Sequence, residues 1–580
     1  MVRQNAIVSQ QLAGSRVRTS QEQRFEPPVG GWNTRDSVDD IPPEDAIILE
    51  NYIPDIGTVK VRPGFIQHCD TGEAGQSIKS LFEYHDADDL DRKMFCAVNG
   101  KIYDVSSSTP VLMNLPHTIN NDLFDVSMIE TEDSNVKARM AWVNGTDDPM
   151  IYKTELSPQF QTGAYTFIPF WEGGSVIVAS SLVGVSTFKN RMYYWADNSQ
   201  DFWYTELYSA EGKLTQFPLG ATGNYGGKLV AIETWTRDGG SGPDDFIVFF
   251  MSSGEAIVYQ GSSPEDIYNW SIVGRYEIGE PLDKRAIVKH GGDLLIVTQN
   301  GYVFFSDLMP GVEADTGRSK IVGAAREAIR YQTGKFGWEI TNFPREQLII
   351  FNVPTQNSFE QHVLNQVTSA WCKFTGIKAN TFCVYKNNLY FSSDDGVVYK
   401  AFEGRNDAGV PIYSDIQTAW LRPGGTTPKT FVAWKEHYRS TRELNITQEF
   451  EVDYGIITGL SYPDPIEEEL LYWTNEDNVV SPGTPWSPDP APGGTPVGPP
   501  VLGGILIDPV LWWTRENYVG AEPPPIGWEL HWSGVDALVF GEWEFIYGHG
   551  SVISMRKKMA TFQFYEILAY RVLYETSGRL

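Results

Sequence analysis

The chain has 580 residues and a formal charge of −29, from 45 Lys and Arg against 74 Asp and Glu. At about 150 residues per domain that length gives about four units, fewer if the chain is β-rich, and the acidity weighs against a surface that neutralises nucleic-acid phosphates. No apolar run approaches the roughly 18 residues of a membrane helix, while 13 % aromatics and 54 glycines favour strands and tight turns over helices.

Residues 1–35 carry no periodicity and few large apolar groups, so an extended N-terminal arm is expected. Its basic residues are Arg3, Arg16, Arg18 and Arg24. It lacks the apolar core of about 7–15 residues that marks a signal peptide, which predicts assembly in a cytoplasm. Pro42 and Pro43 precede an acidic and then apolar stretch at 44–49, and this pattern predicts one short helix.

From residue 95 to about residue 404 one pattern recurs. A short apolar strand meets a Gly, Asn or Lys turn, and a second strand rich in aromatics follows. The turns fall at Asn99-Gly100, Asn144-Gly145, Lys189-Asn190, Ser252 to Gly254, Gly291-Gly292 and Asn387-Asn388, with a further unit starting at 348. Asn and Gly accept the positive φ that type I′ and II′ hairpin turns require. The hairpins are spaced by about 48 residues, which suits a four-stranded propeller blade better than a sandwich repeat of about 8–12. An all-β chain is therefore predicted, with a degenerate β-propeller of about six blades over 36–404.

After residue 404 the stretches lengthen. Alternating segments at 411–421, 430–438, 444–454, 543–547, 552–555 and 562–574 predict a C-terminal β-sandwich over 405–580. It is interrupted by a Pro/Gly-rich insert at about 475–530, where 12 of the 35 prolines lie between 481 and 525. Proline cannot donate to a strand ladder, so the insert reads as a projecting tip. Trp473, Trp486, Trp512, Trp513 and Trp528 in and near it suggest that it packs on something.

No Walker A, GxSxG, HExxH or dinucleotide fingerprint is present. Cys69, Cys96, Cys372 and Cys383 have no CxxC spacing and read as reduced thiols. The carboxylate pairs, such as Asp147-Asp148 and Asp244-Asp245, read as solubilising turns. Residues 392–399 resemble the Asp-box of sialidase-like propellers at Ser392, Asp394 and Gly396, and that box is a hairpin turn rather than a catalytic element. No catalytic residue, cofactor or metal site is assigned.

Two stretches resemble a specific family. The first runs Gly30-Gly31-Trp32-Asn33-Thr34, then Ile41 to Ala46, then Asn51-Tyr52-Ile53-Pro54, then Val59-Lys60-Val61-Arg62-Pro63-Gly64. The second is Ala370-Trp371-Cys372-Lys373-Phe374-Thr375-Gly376, followed by the hairpin from 382. Their order resembles the tail nozzle proteins of short-tailed bacteriophages (tail tubular protein B and packaged-DNA stabilisation relatives). Gly548-His549-Gly550 and the segment from Tyr570 add to the likeness, whereas the insert departs from it.

The resemblance implies a structural virion protein of the tail, assembled in the host bacterial cytoplasm, and not an enzyme. It implies a homohexamer whose channel retains the genome and conducts it during ejection. The implied partners are further copies of itself, a tail adaptor, tail fibres or spikes, and viral double-stranded DNA in transit. The family-motif positions are Trp32, Asn33, Asn51, Tyr52, Pro54, Arg62, Gly64, Ala370, Trp371, Phe374 and Gly376, and the basic arm is a candidate docking element. Two alternatives stand beside this one: a glycan-binding or glycan-cleaving propeller, and a receptor-binding or baseplate hub.

Overall fold

The computed structural model describes residues 20–86, 92–132, 137–171, 176–238, 243–266, 268–308, 320–442, 444–455, 460–465 and 538–576. Arg3, Arg16, Arg18 and the Pro/Gly-rich insert lie outside these residues.

The hairpins form where the turn chemistry places them. Val98 pairs with Lys101 across Asn99 and Gly100, both at positive φ. Phe188 pairs with Arg191 across Lys189 and Asn190, and Tyr385 pairs with Asn388 across Lys386 and Asn387, again with positive φ at both turn residues. Two-residue turns of this hand match the twist of the flanking strands.

Six self-contained sheets are the blades of a β-propeller. Blade 1 runs from Ser80–Tyr84 through Lys93–Val98 and Lys101–Asp104 to Val111–Leu112. Blade 2 holds Asp125–Ile129, Arg139–Val143, Met150–Tyr152 and Phe160–Thr162. Blade 3 starts at Leu182–Phe188, ends at Gly212–Phe217 and gains Tyr165–Ile168 as a parallel fifth strand. Blade 4 runs from Leu229–Asp238 to Ser271–Glu277, and blade 5 comprises Ile287–His290, Asp293–Thr298 and Gly301–Phe304. Blade 6 joins Thr381–Tyr385, Asn388–Ser392 and Val397–Ala401 to Phe65–Asp70, a strand from the far side of blade 1 in sequence. Between blades 5 and 6 the ring is completed by Glu339–Phe343, Leu348–Pro354, Phe359–Asn365 and Trp371–Phe374, one end of a nine-stranded sheet.

Aromatics fill the seams between sheets. Trp142 of blade 2 meets Phe82 and Phe95 of blade 1 edge-on at 5.6 and 6.1 Å. Phe202 of blade 3 stacks on Phe249 of blade 4 at 4.7 Å. Trp371 stacks on Tyr302 of blade 5 at 6.0 Å, so it anchors the nine-stranded sheet to its neighbour. Such pairs add about 0.5–1.5 kcal/mol each beyond the area they bury.

The other end of the nine-stranded sheet carries Gly31–Trp32, Asp45–Glu50, Ile412–Thr418, Ile553–Thr561 and Ile446–Val452. It packs on a seven-stranded sheet centred on Lys429–Ser440 and Tyr565–Thr576. Trp434, fully buried, lies between Phe450 at 5.5 Å and Tyr570 at 5.0 Å. All six C-terminal segments read as strands are strands.

Two features differ from the sequence reading. Residues 44–49 do not form a helix, because Asp45–Glu50 is a strand paired with Gly31–Trp32 and with Ile412–Thr418. The run Ala46-Ile47-Ile48-Leu49 suits a buried strand once two partners are in place, so tertiary pairing overrides the local acidic-turn signal. Strand pairing also crosses the boundaries drawn at 36 and 405. Ser20–Phe25 pairs with Tyr565–Thr576, and Thr58–Val61 joins the same sheet.

Candidate functional site: a buried joint and an occupied propeller axis

The motif residues converge on the joint between propeller and C-terminal sheets. Arg62 ends the strand Thr58–Val61, and its guanidinium side chain is only 1 % exposed. It grips Asp407 with two parallel bonds, Nη1 to Oδ1 at 2.8 Å and Nη2 to Oδ2 at 2.6 Å. Its Nε donates to Asn51 Oδ1 at 2.8 Å, and Nη2 also reaches the Thr375 carbonyl at 3.0 Å. Asn51 completes the knot by donating to Thr375 Oγ1 and to the Tyr413 carbonyl at 2.9 and 2.7 Å. A fully bonded bidentate pair of this kind tolerates burial, whereas an orphaned partner does not.

The glycines are required by this crowding. A Cβ on Gly64 would sit 1.8 Å from the Asn406 carbonyl oxygen. Gly376 has φ +91°, and a Cβ there would crowd Asp407 Oδ2 at 3.2 Å. Phe374 supplies a ring face 5.8 Å from the Arg62 guanidinium.

The remaining motif positions brace the same seam. Trp32 packs edge-on to His362 at 5.3 Å, with Lys373 Nζ 5.6 Å over its ring. Asn33 donates to Asp36 and to buried Asp45, and Lys320 reaches Asp45 Oδ1 at 2.8 Å. Pro54 lies in the outermost strand, Tyr52–Asp55, where its missing N–H is tolerated, and its carbonyl accepts from Asn365 at 2.9 Å. Ala370 is buried beside Trp371, and its carbonyl accepts from the Asn365 N–H. Tyr52 is buried beneath Lys557, whose Nζ lies 5.9 Å from its ring. Lys557, itself buried, donates to Glu436 and to the Tyr565 hydroxyl, each at 2.6 Å. Burial holds the Lys557 ammonium below its ordinary range, with Glu436 opposing. Arg24 is exposed in Ser20–Phe25, opposite Arg571.

The propeller axis is crossed by two cations from the linker before blade 5. Arg285 donates to the Lys79 carbonyl at 2.8 Å, to Ser80 Oγ at 3.0 Å and to the Phe124 carbonyl at 2.6 Å. Its guanidinium also lies 5.3 Å from the Phe82 ring. Lys284 donates to the Val183 carbonyl of blade 3 and lies 3.9 Å from Asp125 of blade 2. The pair therefore ties blade 5 to blades 1, 2 and 3.

Two carboxyls face this core from other inner strands. Burial pushes Glu339 up to about 7 against the pull of Arg285, while its Oε2 accepts from the Phe382 N–H at 3.2 Å. Burial likewise pushes Glu233 up to about 7, opposed by Lys289 at 3.8 Å. Perturbed carboxyls mark sites worth testing. Here, however, the cations are engaged by blade carbonyls, and the arrangement fastens the ring.

The Asp-box-like segment is a turn. Asp394 accepts from Asn380 Nδ2 at 2.9 Å, and Asp395 accepts from the Val397 N–H and the Tyr399 hydroxyl at 3.0 and 2.7 Å. Sequence reasoning did not single out Asp407, Lys284, Arg285, Glu436 or Lys557, and Thr375 figured in it only as part of the second family-like stretch. One signal was present: Lys284-Arg285 is a basic dipeptide directly before an apolar strand in a chain poor in cations.

A comparison with protein-family models finds no match, and a comparison with curated proteins finds none either. Among solved structures, the chain is similar to Sqt1 of Saccharomyces cerevisiae at 8 % identity and TM-score 0.34, covering 59 % of this chain and 99 % of that one. It is similar to BBS1N, solved in complex with ARL6DN, at 10 % identity and TM-score 0.35, covering 59 % and 97 %. The architecture is that of a β-propeller with additional C-terminal sheets.

Proposed function

We propose that this chain is a structural wall subunit of a ring, the tail nozzle of a short-tailed bacteriophage. Six copies would surround a channel that retains the packaged genome and conducts it on ejection. The observation that carries this reading is the joint. The segment resembling the nozzle family, residues 30–64, is built into the seam that locks the propeller to the C-terminal sheets, and its buried Arg62 and Asn51 bond each other and, through Arg62, Asp407. Such mutual bonding makes the joint rigid, which suits the wall of a channel.

The occupied axis adds a geometric condition. Lys284 and Arg285 cross the centre of the propeller, so a conduit for a duplex belongs between copies and not through one. An acidic wall would repel phosphates and let the duplex slide, in keeping with the charge of −29. Tail adaptor and fibre proteins would dock on the ends and outer blades of such a ring.

Native mass measurement and averaged images of the full-length protein viewed down the ring axis test the proposal. The expected result is a closed ring of six 65.1 kDa chains, about 390 kDa, with an open centre. A monomer or a trimer without a bore would favour the receptor-binding or baseplate reading instead.

A further inference from the structure

One groove on the propeller stands apart from both the joint and the axis. Two clefts, of about 510 and 430 Å³, are each lined by Asn300, at the tip of the turn between the last two strands of blade 5. The first cleft is flanked by Gln299 and by Arg326 and Arg330 of the helix Val322–Gln332. The second is flanked by Tyr225, Ser253 and Glu277 of blade 4 and its leading loop. Both clefts are open to solvent, so a ligand there lies along the surface rather than enclosed.

The two ends of the groove differ in chemistry. Arg326 and Arg330 are four residues apart, so they share one helix face, with their Cβ atoms about 5–6 Å apart. Both are exposed, and neither has an ion-pair partner among the described residues. In a chain of charge −29 two neighbouring guanidinium groups offer a local cationic face, and together they match one carboxylate. The buried face of the helix, Ala325 and Ile329, fixes their position.

At the other end Tyr225 presents a ring that is 60 % exposed. Its hydroxyl donates to Glu277, which holds the ring in place. Glu277 is a hydrogen-bond acceptor, and the Asn300 carboxamide both donates and accepts. The Asn300 side chain fits because residue 279 is glycine; a Cβ there would lie 2.6 Å from its Nδ2.

We propose that this groove binds an acidic saccharide. A pyranose ring lies with its C–H face on Tyr225, its hydroxyls bond Glu277 and Asn300, and the carboxylate of an adjoining residue is held by Arg326 and Arg330. The ligand must offer hydroxyl donors at one end and an anion at the other. A nucleic-acid strand offers a continuous run of phosphates, which Glu277 repels at the Tyr225 end. An acidic peptide can donate to Glu277 through its amide N–H groups but offers no pyranose C–H face to lie on Tyr225.

The test titrates the full-length protein calorimetrically with trigalacturonate and with neutral maltotriose at physiological ionic strength. Trigalacturonate is expected to bind at least about tenfold more tightly than maltotriose. The double variant R326Q/R330Q should lose that preference, and Y225A should weaken both sugars, with melting temperatures unchanged because all three side chains are exposed. Equal binding of the two sugars, no binding of trigalacturonate at millimolar concentration, or binding indifferent to R326Q/R330Q would overturn the proposal. Tighter binding of a single-stranded DNA dodecamer or of oligoglutamate, lost in R326Q/R330Q, would overturn it in favour of those ligands.

Discussion

At the scale of single residues the chain concentrates its conflicts at Arg62. The side chain is buried, charged and fully bonded, so its removal leaves buried Asn51 and mostly buried Asp407 without their partner. Arg62→Ala should cost about 3–5 kcal/mol of stability, as should Asp407→Ala, because each leaves the other charge uncompensated. The double variant should cost clearly less than the two single losses combined, a coupling that denaturant unfolding of the four proteins measures. Independent, additive losses would show that the pair is not the fastening described here. Asn51, Arg62, Gly64 and Gly376 were legible in the sequence as members of an ordered motif. Asp407 was not, because a hydrogen bond between residues 345 apart leaves no local pattern.

At the scale of elements the informative strand is Phe65–Asp70. It precedes blade 1 in sequence yet completes blade 6, pairing antiparallel with Val397–Ala401. The two ends of the propeller are thereby hydrogen-bonded to each other, and no blade edge is left to open the ring at that point. Phe65 anchors the closure, edge-on to Phe391 at 5.1 Å and to Tyr399 at 5.3 Å. Phe65→Ala should destabilise by about 3–5 kcal/mol through loss of a buried ring and the cavity it leaves. Hydrogen exchange should then quicken in Val397–Ala401 ahead of blades 2 to 4. Uniform quickening in all blades would mean that this strand is not a separate clasp. The hairpins were readable because their turns depend on two residues of positive φ. The clasp was not readable, since Ile66-Gln67-His68 has no feature that names its partner.

At the scale of the whole molecule, charge and burial set the response to pH. Glu233 and Glu339 ionise near pH 7 in the folded chain against an ordinary value of 4.5, because burial disfavours their charged forms. The native state therefore holds more protons than the unfolded chain between about pH 4.5 and 7, and stability falls as pH rises through that window. Asp36 and Glu73 act oppositely. Hydrogen bonds from Arg35 and Asn33, and from Lys101, Asn99 and Tyr103, hold them to about 2, so their contribution is lost as pH falls from about 4 toward 2. Above about pH 5 the two buried carboxyls pull the calorimetric melting temperature down as pH rises, against His68 and His437, which burial holds below their ordinary value and which act in the opposite direction. Glu339→Gln should weaken that downward pull. A Glu339→Gln variant whose melting temperature follows the same pH profile as the parent would contradict the placement of this carboxyl.

What the sequence determined by itself was local. Asn-Gly and Lys-Asn turns define hairpins, hairpin spacing defines blades, and alternation after residue 404 defines the longer strands of the sandwich. These signals reside in a few adjacent residues, where backbone sterics act directly. Tertiary structure alone decided that residues 44–50 are a strand, that the arm and the C-terminus share a sheet, and that Lys284 and Arg285 meet the carbonyls of three other blades. Those outcomes depend on pairing and burial between segments hundreds of residues apart, and such partners exist only once the chain has closed on itself.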